Sequence, residues 1–307
     1  NPRDDDQEEE EDDDEEDEEH EDARRKRLGP LEALVAIRNE KNTLSHLNFE
    51  QHGHVASSSW SEKKLAKNAT EALTTWCETK LARIYPSGLR IDSSNYDPTR
   101  AWAMGCQIVA LNFQSKTPSK ARPLWLSQAK FLANGGAGYV LKTTAPPGAA
   151  PALITVSLFG ARGWTGGWGA YEKFPDVYAT VSVACRDIES KSTKHVDDST
   201  EPEWNATFEF HVDDVNLTLL LVEFWDFDAA TGDDFLGHVA LPVTDLRKNT
   251  KLTLPLLGPD LRLWDKGGDP VCDLLVDVQL LHHHTDESNE GTSLCVEKTF
   301  EKGHHRE

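Results

Sequence analysis

The chain has 307 residues, with 53 acidic against 32 basic side chains and a formal net charge of −21. That sign of charge points away from a nucleic-acid partner. No apolar run is long enough to span a membrane, and no signal peptide opens the chain.

The charge is concentrated. Residues 1–22 hold 17 acidic residues and one arginine, so the rest of the chain carries only about −5. A run such as DDDQEEEEDDDEEDEEHED cannot bury apolar surface, and residues 1–28 are expected to be disordered. The short basic block Arg24 to Arg27 reads as a charge boundary rather than a nuclear signal. The first residue is Asn rather than Met, as expected of a processed product or a fragment. Five cysteines at wide, irregular spacing fit buried thiols in a reduced cytosolic protein, not a disulfide framework or a zinc site.

A mixed segment follows. SEKKLAKNATEALTTWCETKLARI has apolar residues near helical spacing, with Ser59 or Ser61 as the N-cap. CQIVALNFQ and GYVLK read as strands, the first apolar enough for a buried parallel strand. The breaker TTAPPGAAP at 143–151 is the best domain boundary. Beyond it, LITVSLFG, DVYATVSVAC, ATFEFHV, LTLLLVEFWD, HVALPV, KLTLPLL and CDLLVDVQLL alternate with polar turns. Strands at this spacing without helices argue for an antiparallel sandwich of about 130 residues. The last 25 residues are polar and expected to be disordered, and the triple His at 282–284 lacks a partner to complete a metal site.

The sandwich strands end in carboxylates. Asp176 starts DVYATV, Asp197 lies in HVDDSTEPEW, and Asp226, Asp228 and Asp234 follow EFW. If these loops share one end of the sandwich, five carboxylates converge and repel one another. A hard cation with oxygen ligands, Ca2+ above all, would offset that cost. The competing explanation is that Asp is common in turns for its own hydrogen bonds.

DFDAATGDDFLG, with FPDVY and TEPEWNATFEF, resembles a calcium-dependent lipid-binding C2 domain. The resemblance implies Asp176, Asp197, Asp226, Asp228 and Asp234 as calcium ligands, with Asp233 and Asp198 solvated extras. It also implies that the ion bridges to anionic phospholipid headgroups. In GWTGGWGAYEKF, Trp164, Trp168 and Phe174 either enter the membrane interface or, for the tryptophans, pack on the sandwich.

The segment before the breaker is more specific. ARIYPSGLRIDSSNYDP, GCQIVALNFQ and RPLWLSQAKFLANGGAGYVLK resemble the Y-box of eukaryotic phosphoinositide-specific phospholipase C, with SSWSE and LEALVAIRNEK extending the likeness upstream. The RPLW and NGG wording is closest to plant or algal members, and Ala137 stands where the family usually has Cys. The resemblance implies an α/β plus all-β chain: the second half of a distorted (β/α) TIM-like barrel, then the C2 sandwich. The expected divisions are a disordered acidic linker remnant at 1–28, a half-barrel at 29–145, a C2 domain at 150–282 and a disordered tail at 283–307. Ser59 and Arg83 are implied to bind ring phosphates of an inositol headgroup, and Tyr85 to pack on the ring.

The implied activity is hydrolysis of phosphatidylinositol 4,5-bisphosphate to inositol trisphosphate and diacylglycerol in signalling, at the cytoplasmic face of the plasma membrane. The acid–base histidines and the catalytic calcium ligands would come from an X half, and X-box wording is absent from residues 1–58. The chain by itself is therefore expected to be inactive, and its half-barrel marginally stable with an open edge. The alternative is a non-enzymatic, calcium-dependent phospholipid-binding module.

Overall fold

Two β-sheets of four antiparallel strands each, built from residues 152–280, form a sandwich, and a parallel sheet with helices precedes it. The computed structural model describes residues 34–49, 55–68, 70–114, 117–142, 150–165, 174–230, 232–246, 250–264 and 268–281. Among them no helix is long and apolar enough to cross a membrane. The acidic run, the triple His and Trp168 lie outside the described residues.

The first sheet has the order β1 (Ile37–Asn39), β2 (Val55–Ser61), β3 (Leu81–Tyr85), β4 (Ile108–Val109), with every pairing parallel. Helices α1 (Glu62–Asn68), α2 (Glu71–Trp76) and α3 (Thr99–Ala103) connect its strands. One face is buried: Ala56, Ser58 and Trp60 of β2 and Ala82 and Ile84 of β3 point inward. Trp60, Ala82 and Ile84 pack with Leu65, Leu73 and Trp76. The opposite face carries Ser57, Ser59 and Ser61 beside Leu81, Arg83 and Tyr85, none of them buried.

The expected single helix over SEKKLAKNATEALTTWCETKLARI is two short helices and a strand. Leu81 and Ile84 sit at helical spacing in the sequence, yet they belong to a five-residue parallel strand whose partners are remote. Ser61 caps α1 by accepting the Lys64 amide at 3.4 Å, while Ser59 lies within β2. CQIVALNFQ contributes only the edge strand β4, with Ile108 exposed rather than buried. GYVLK is not a strand.

The sandwich sheets are β10 (Asp234–Pro242), β9 (Leu219–Asp226), β6 (Val177–Ala184), β7 (Ile188–Ser192) and β11 (Thr250–Pro255), β12 (Gly268–Leu280), β5 (Ala152–Trp164), β8 (Glu203–Val212). β5 alternates buried and half-buried residues along ALITVSLF, as a strand with one face on a core should. Its Ile154, Val156 and Leu158 meet Val181, Phe210, Val222 and Phe224 between the sheets. Gly237 makes the bulge between β9 and β10 at φ +130°, where a Cβ would stand 2.9 Å from Leu256. β7, the polar edge strand IESKS, has no apolar alternation to reveal it in the sequence.

β9 is buried on both faces from Leu219 to Phe224. Helix α4 (Pro118–Leu132) explains this: its Ala121, Trp125, Leu126 and Ala129 cover Leu219, Leu221, Ala184 and Ala240 on the outer face of the sheet. The run Leu219 to Val222 is continuously apolar because both of its faces are covered.

Candidate functional site

Two groups of residues stand out, one on each part of the chain. On the parallel sheet, Ser59 and Arg83 are register partners on β2 and β3, and Ser61 pairs with Tyr85 one step further. Ser61 and Tyr85 end their strands, with Ser59 and Arg83 two residues before them, near the edge where loops of an α/β sheet carry binding groups. The Arg83 guanidinium lies 5.6 Å from the centre of the Tyr85 ring, so the aromatic face orients the cation. Just beyond, Glu62 clamps the loop after β3. It accepts Arg90 through both of its oxygens and the Ser87 amide at 3.1 Å. These contacts with Arg90 and Ser87 hold the Glu62 carboxyl below its ordinary value against the opposing effect of burial.

A cation, a hydroxyl and an aromatic ring on one exposed face suit an anionic ligand with a flat, partly apolar body. Among the described residues, none buries this face, although parallel sheets are usually covered on both sides.

The second group is at one end of the sandwich. The loop into β6, the loop between β7 and β8, and the loop between β9 and β10 are tied together there. The Asp176 amide donates to Asp226 Oδ1 at 2.7 Å, and Asp176 Oδ1 accepts the Asp198 amide at 2.7 Å. The Phe227 amide donates to the Asp176 carbonyl at 2.9 Å, and Val177 and Val196 exchange backbone hydrogen bonds. Asp226 is the cross-strand partner of both Val177 and Asp234. Burial raises the Asp226 pKa. The Asp176 amide opposes that, and the carboxylates of Asp176, Asp234 and Asp228 raise it further.

The five aspartates do not all share one environment. The carboxylates of Asp176, Asp228 and Asp234 lie close enough to act on that of Asp226. Asp197 instead pairs with His195 Nε2 at 3.1 Å, and that imidazole stacks on Phe227 with centroids 4.6 Å apart. Among the described residues, no three His, Cys, Asp or Glu side chains are arranged to hold a metal ion. The donor chemistry nevertheless fits a hard dication. The mutual repulsion around half-buried Asp226 is the cost such a charge removes.

Asp233 and Asp198 are both exposed, as expected, and each also has a structural part: Asp233 Oδ2 accepts the Tyr178 hydroxyl at 2.6 Å and its Oδ1 the Asp228 amide at 3.1 Å, which fixes the loop between β9 and β10. Asp198, at φ +47°, shapes the turn that brings its amide to Asp176. Of the aromatic residues, Trp164 packs inside the sandwich, 1% exposed, with Nε1 donating to the Leu236 carbonyl at 3.3 Å. Phe174 is exposed beside Asp176.

A third cluster went unread in the sequence. On α4, Arg122 Nε donates to Glu223 Oε2 of β9 at 3.1 Å, and Trp125 stacks on His238 of β10 with centroids 4.1 Å apart. His238 is the cross-strand partner of Glu223. The lone Glu inside LTLLLVEFW was the available signal.

Residues 31–145 match the family described as phosphatidylinositol-specific phospholipase C, Y domain, and residues 153–256 match the C2 domain. C2 domains commonly bind Ca2+ and often associate with membranes peripherally. The chain is 34% identical over 215 residues to phosphoinositide phospholipase C 7 of Arabidopsis thaliana, covering 64% of this chain and 36% of that protein. It is 33% identical over 258 residues to 1-phosphatidylinositol 4,5-bisphosphate phosphodiesterase gamma plc-3 of Caenorhabditis elegans, covering 77% and 18%. It is 31% identical over 228 residues to the human delta-1 phosphodiesterase of the same name, covering 65% and 28%. Among solved structures, L. pealei PLC21 superposes with a TM-score of 0.62 at 23% identity, over 77% of this chain and 31% of that one, a likeness of fold. The chain spans about a third of the length of its plant relatives. It belongs to the phosphoinositide-specific phospholipase C family, as a Y domain followed by a C2 domain.

Proposed function

We propose that this chain supplies the substrate-binding half of a phosphoinositide phospholipase C together with the C2 domain that carries it to the membrane. The reaction is hydrolysis of phosphatidylinositol 4,5-bisphosphate to inositol trisphosphate and diacylglycerol. The observation that carries this is the juxtaposition of Ser59 and Arg83 on adjacent strands, with Arg83 over Tyr85, on an exposed sheet face. In this reading the parallel sheet of residues 29–145 is half of a (β/α) barrel, and an X half closes over that face. Arg83 would pair with a ring phosphate, Ser59 would donate to one, and Tyr85 would pack on the inositol ring. The acid–base groups and the catalytic calcium ligands would belong to the X half, so the chain alone would be inactive.

The C2 domain, taken as residues 150–282, would hold Ca2+ through Asp176, Asp226, Asp228 and Asp234, with Asp197 released from His195 to join them. Bound there, the ion supplies positive charge to anionic phospholipid headgroups and recruits the protein to the plasma membrane from the cytoplasm. The module reading, calcium-dependent phospholipid binding without catalysis, rests on the same loops.

The test is a hydrolysis assay on the chain co-expressed with the X half of a plant relative. Activity should appear, and Arg83→Ala should lower it roughly 10- to 100-fold, the worth of a charge-assisted contact. Activity indifferent to Arg83→Ala would remove the headgroup assignment.

A further inference from the structure

Glu62 opens α1 directly after Ser61, the last residue of β2, and Ser61 is the register partner of Tyr85, the last residue of β3. The Glu62 carboxylate therefore stands just beyond the final rung between the two strands. There it accepts Arg90 Nε at Oε1 and Arg90 Nη2 at Oε2, the second at 2.8 Å, together with the Ser87 amide at 3.1 Å. The two side chains are only 13% and 28% exposed, which separates this pair from surface ion pairs of little worth. A bidentate pair fixes orientation as well as distance.

Arg90 reaches further. Its Nη1 donates to Ser94 Oγ at 3.0 Å. Ser94 and Asn95 are in turn tied to the segment after β4. The Asn112 amide donates to Asn95 Oδ1 at 2.6 Å, Asn112 Nδ2 donates to the Ser94 carbonyl at 3.1 Å, and Asn95 Nδ2 donates to the Asn112 carbonyl at 2.9 Å. Tyr96 then returns to β3, its hydroxyl donating to the Ile84 carbonyl at 3.3 Å. The ends of β2, β3 and β4 thus meet in one hydrogen-bonded network with Arg90 at its centre. Apolar packing does not hold this turn: Leu89 and Ile91, on either side of Arg90, are 76% and 97% exposed.

What the network holds is Tyr85. The strand ends at this residue, the Arg83 guanidinium lies over its ring, and two residues on the Ser87 amide is bound to Glu62. A frayed strand end would move the ring, and with it the cation beside Ser59. We propose, resting on the headgroup reading of Ser59, Arg83 and Tyr85, that Glu62 and Arg90 are positioning residues for that site. They act through Tyr85 to aim Arg83 at a ring phosphate. They thereby favour inositol headgroups phosphorylated on the ring over phosphatidylinositol, which carries no ring phosphate. Neither residue needs to touch the substrate.

The experiment measures kcat/KM for phosphatidylinositol 4,5-bisphosphate and for phosphatidylinositol in matched vesicles, with the chain co-expressed with an X half. The readout is the ratio of the two, which a smaller fraction of folded enzyme does not move. Arg83→Ala should lower the ratio roughly 10- to 100-fold. Glu62→Gln places an amide donor where Arg90 already donates; it should lower the ratio roughly 5- to 10-fold and leave phosphatidylinositol turnover within about twofold of wild type. Arg90→Lys keeps the charge but cannot span both Glu62 oxygens, and should lower the ratio likewise. Adding Glu62→Gln to Arg83→Ala should lower it no further. An unchanged ratio in Glu62→Gln and Arg90→Lys, while Arg83→Ala still lowers it, would overturn the positioning role and leave the headgroup reading standing. Loss of both activities in proportion would do the same. An unchanged ratio in Arg83→Ala would instead sink the headgroup reading, and the positioning role with it.

Discussion

Arg122 of α4 and Glu223 of β9 form an ion pair across the boundary between the parallel sheet's helices and the sandwich, 101 residues apart in sequence. Burial raises the Glu223 pKa even though Arg122 lowers it, so the carboxylate depends on this one cation. Arg122 also reaches Ser182 Oγ at 3.3 Å. Arg122→Ala leaves a buried carboxylate without its partner and should cost about 3 kcal/mol in urea unfolding. Adding Glu223→Leu should restore most of that loss. If the double variant is no more stable than the single, the pair does not act as described.

Trp125 fastens the same boundary. It stacks on His238 and on Phe235, with centroids 4.1 and 5.1 Å away, and its Nε1 donates to the Pro259 carbonyl at 3.3 Å. Trp125→Ala should cost about 3–5 kcal/mol. It should also let the sandwich unfold in a separate calorimetric transition.

His238 should make stability depend on pH. Its ring is fully buried, neither nitrogen has a well-formed hydrogen bond among the described residues, and burial, opposed by the Leu257 backbone, pulls its pKa from 6.5 to about 3. Between those values the unfolded chain binds a proton that the folded chain refuses. Stability therefore falls as pH drops through 6.5 toward 3, by roughly 2 kcal/mol at pH 5. His238→Phe should flatten the urea midpoint between pH 7 and 5. Equal slopes for both proteins would rule this out.

The aspartate loops should respond with opposite signs in the two calcium states. Asp226 is held against three carboxylates, so Asp226→Asn with Asp228→Asn should raise the melting temperature in chelator by relieving repulsion. The same change should abolish the calcium-induced rise in melting temperature and the calcium-dependent sedimentation with phosphatidylserine vesicles. Equal wild-type vesicle binding in calcium and in chelator would contradict the calcium assignment.

Much of the sandwich was legible because strands such as β5 and β12 alternate buried and half-buried residues, and the sequence carries that period directly. β7 was not, because an edge strand of Glu, Ser and Lys buries little. The helix expected through Leu81 and Ile84 failed because parallel pairing to β2 is a remote contact that local spacing cannot express. At the sandwich tip, the sequence indicates which loops carry aspartates. It does not indicate that Asp233 bonds to the Tyr178 hydroxyl or that Asp197 pairs with His195. The docking of α4 was hidden for the same reason: Arg122, Trp125, Glu223 and His238 meet only once two separate parts of the chain have folded.

The measurement that bears most directly on the central claim is release of inositol phosphates from vesicles containing phosphatidylinositol 4,5-bisphosphate. It is made with purified residues 1–307 alone and with the same chain co-expressed with an X half. The account predicts no release above background from the chain alone, and calcium-dependent release from the pair. Turnover by residues 1–307 alone would contradict it, as would a stably associated pair that releases nothing.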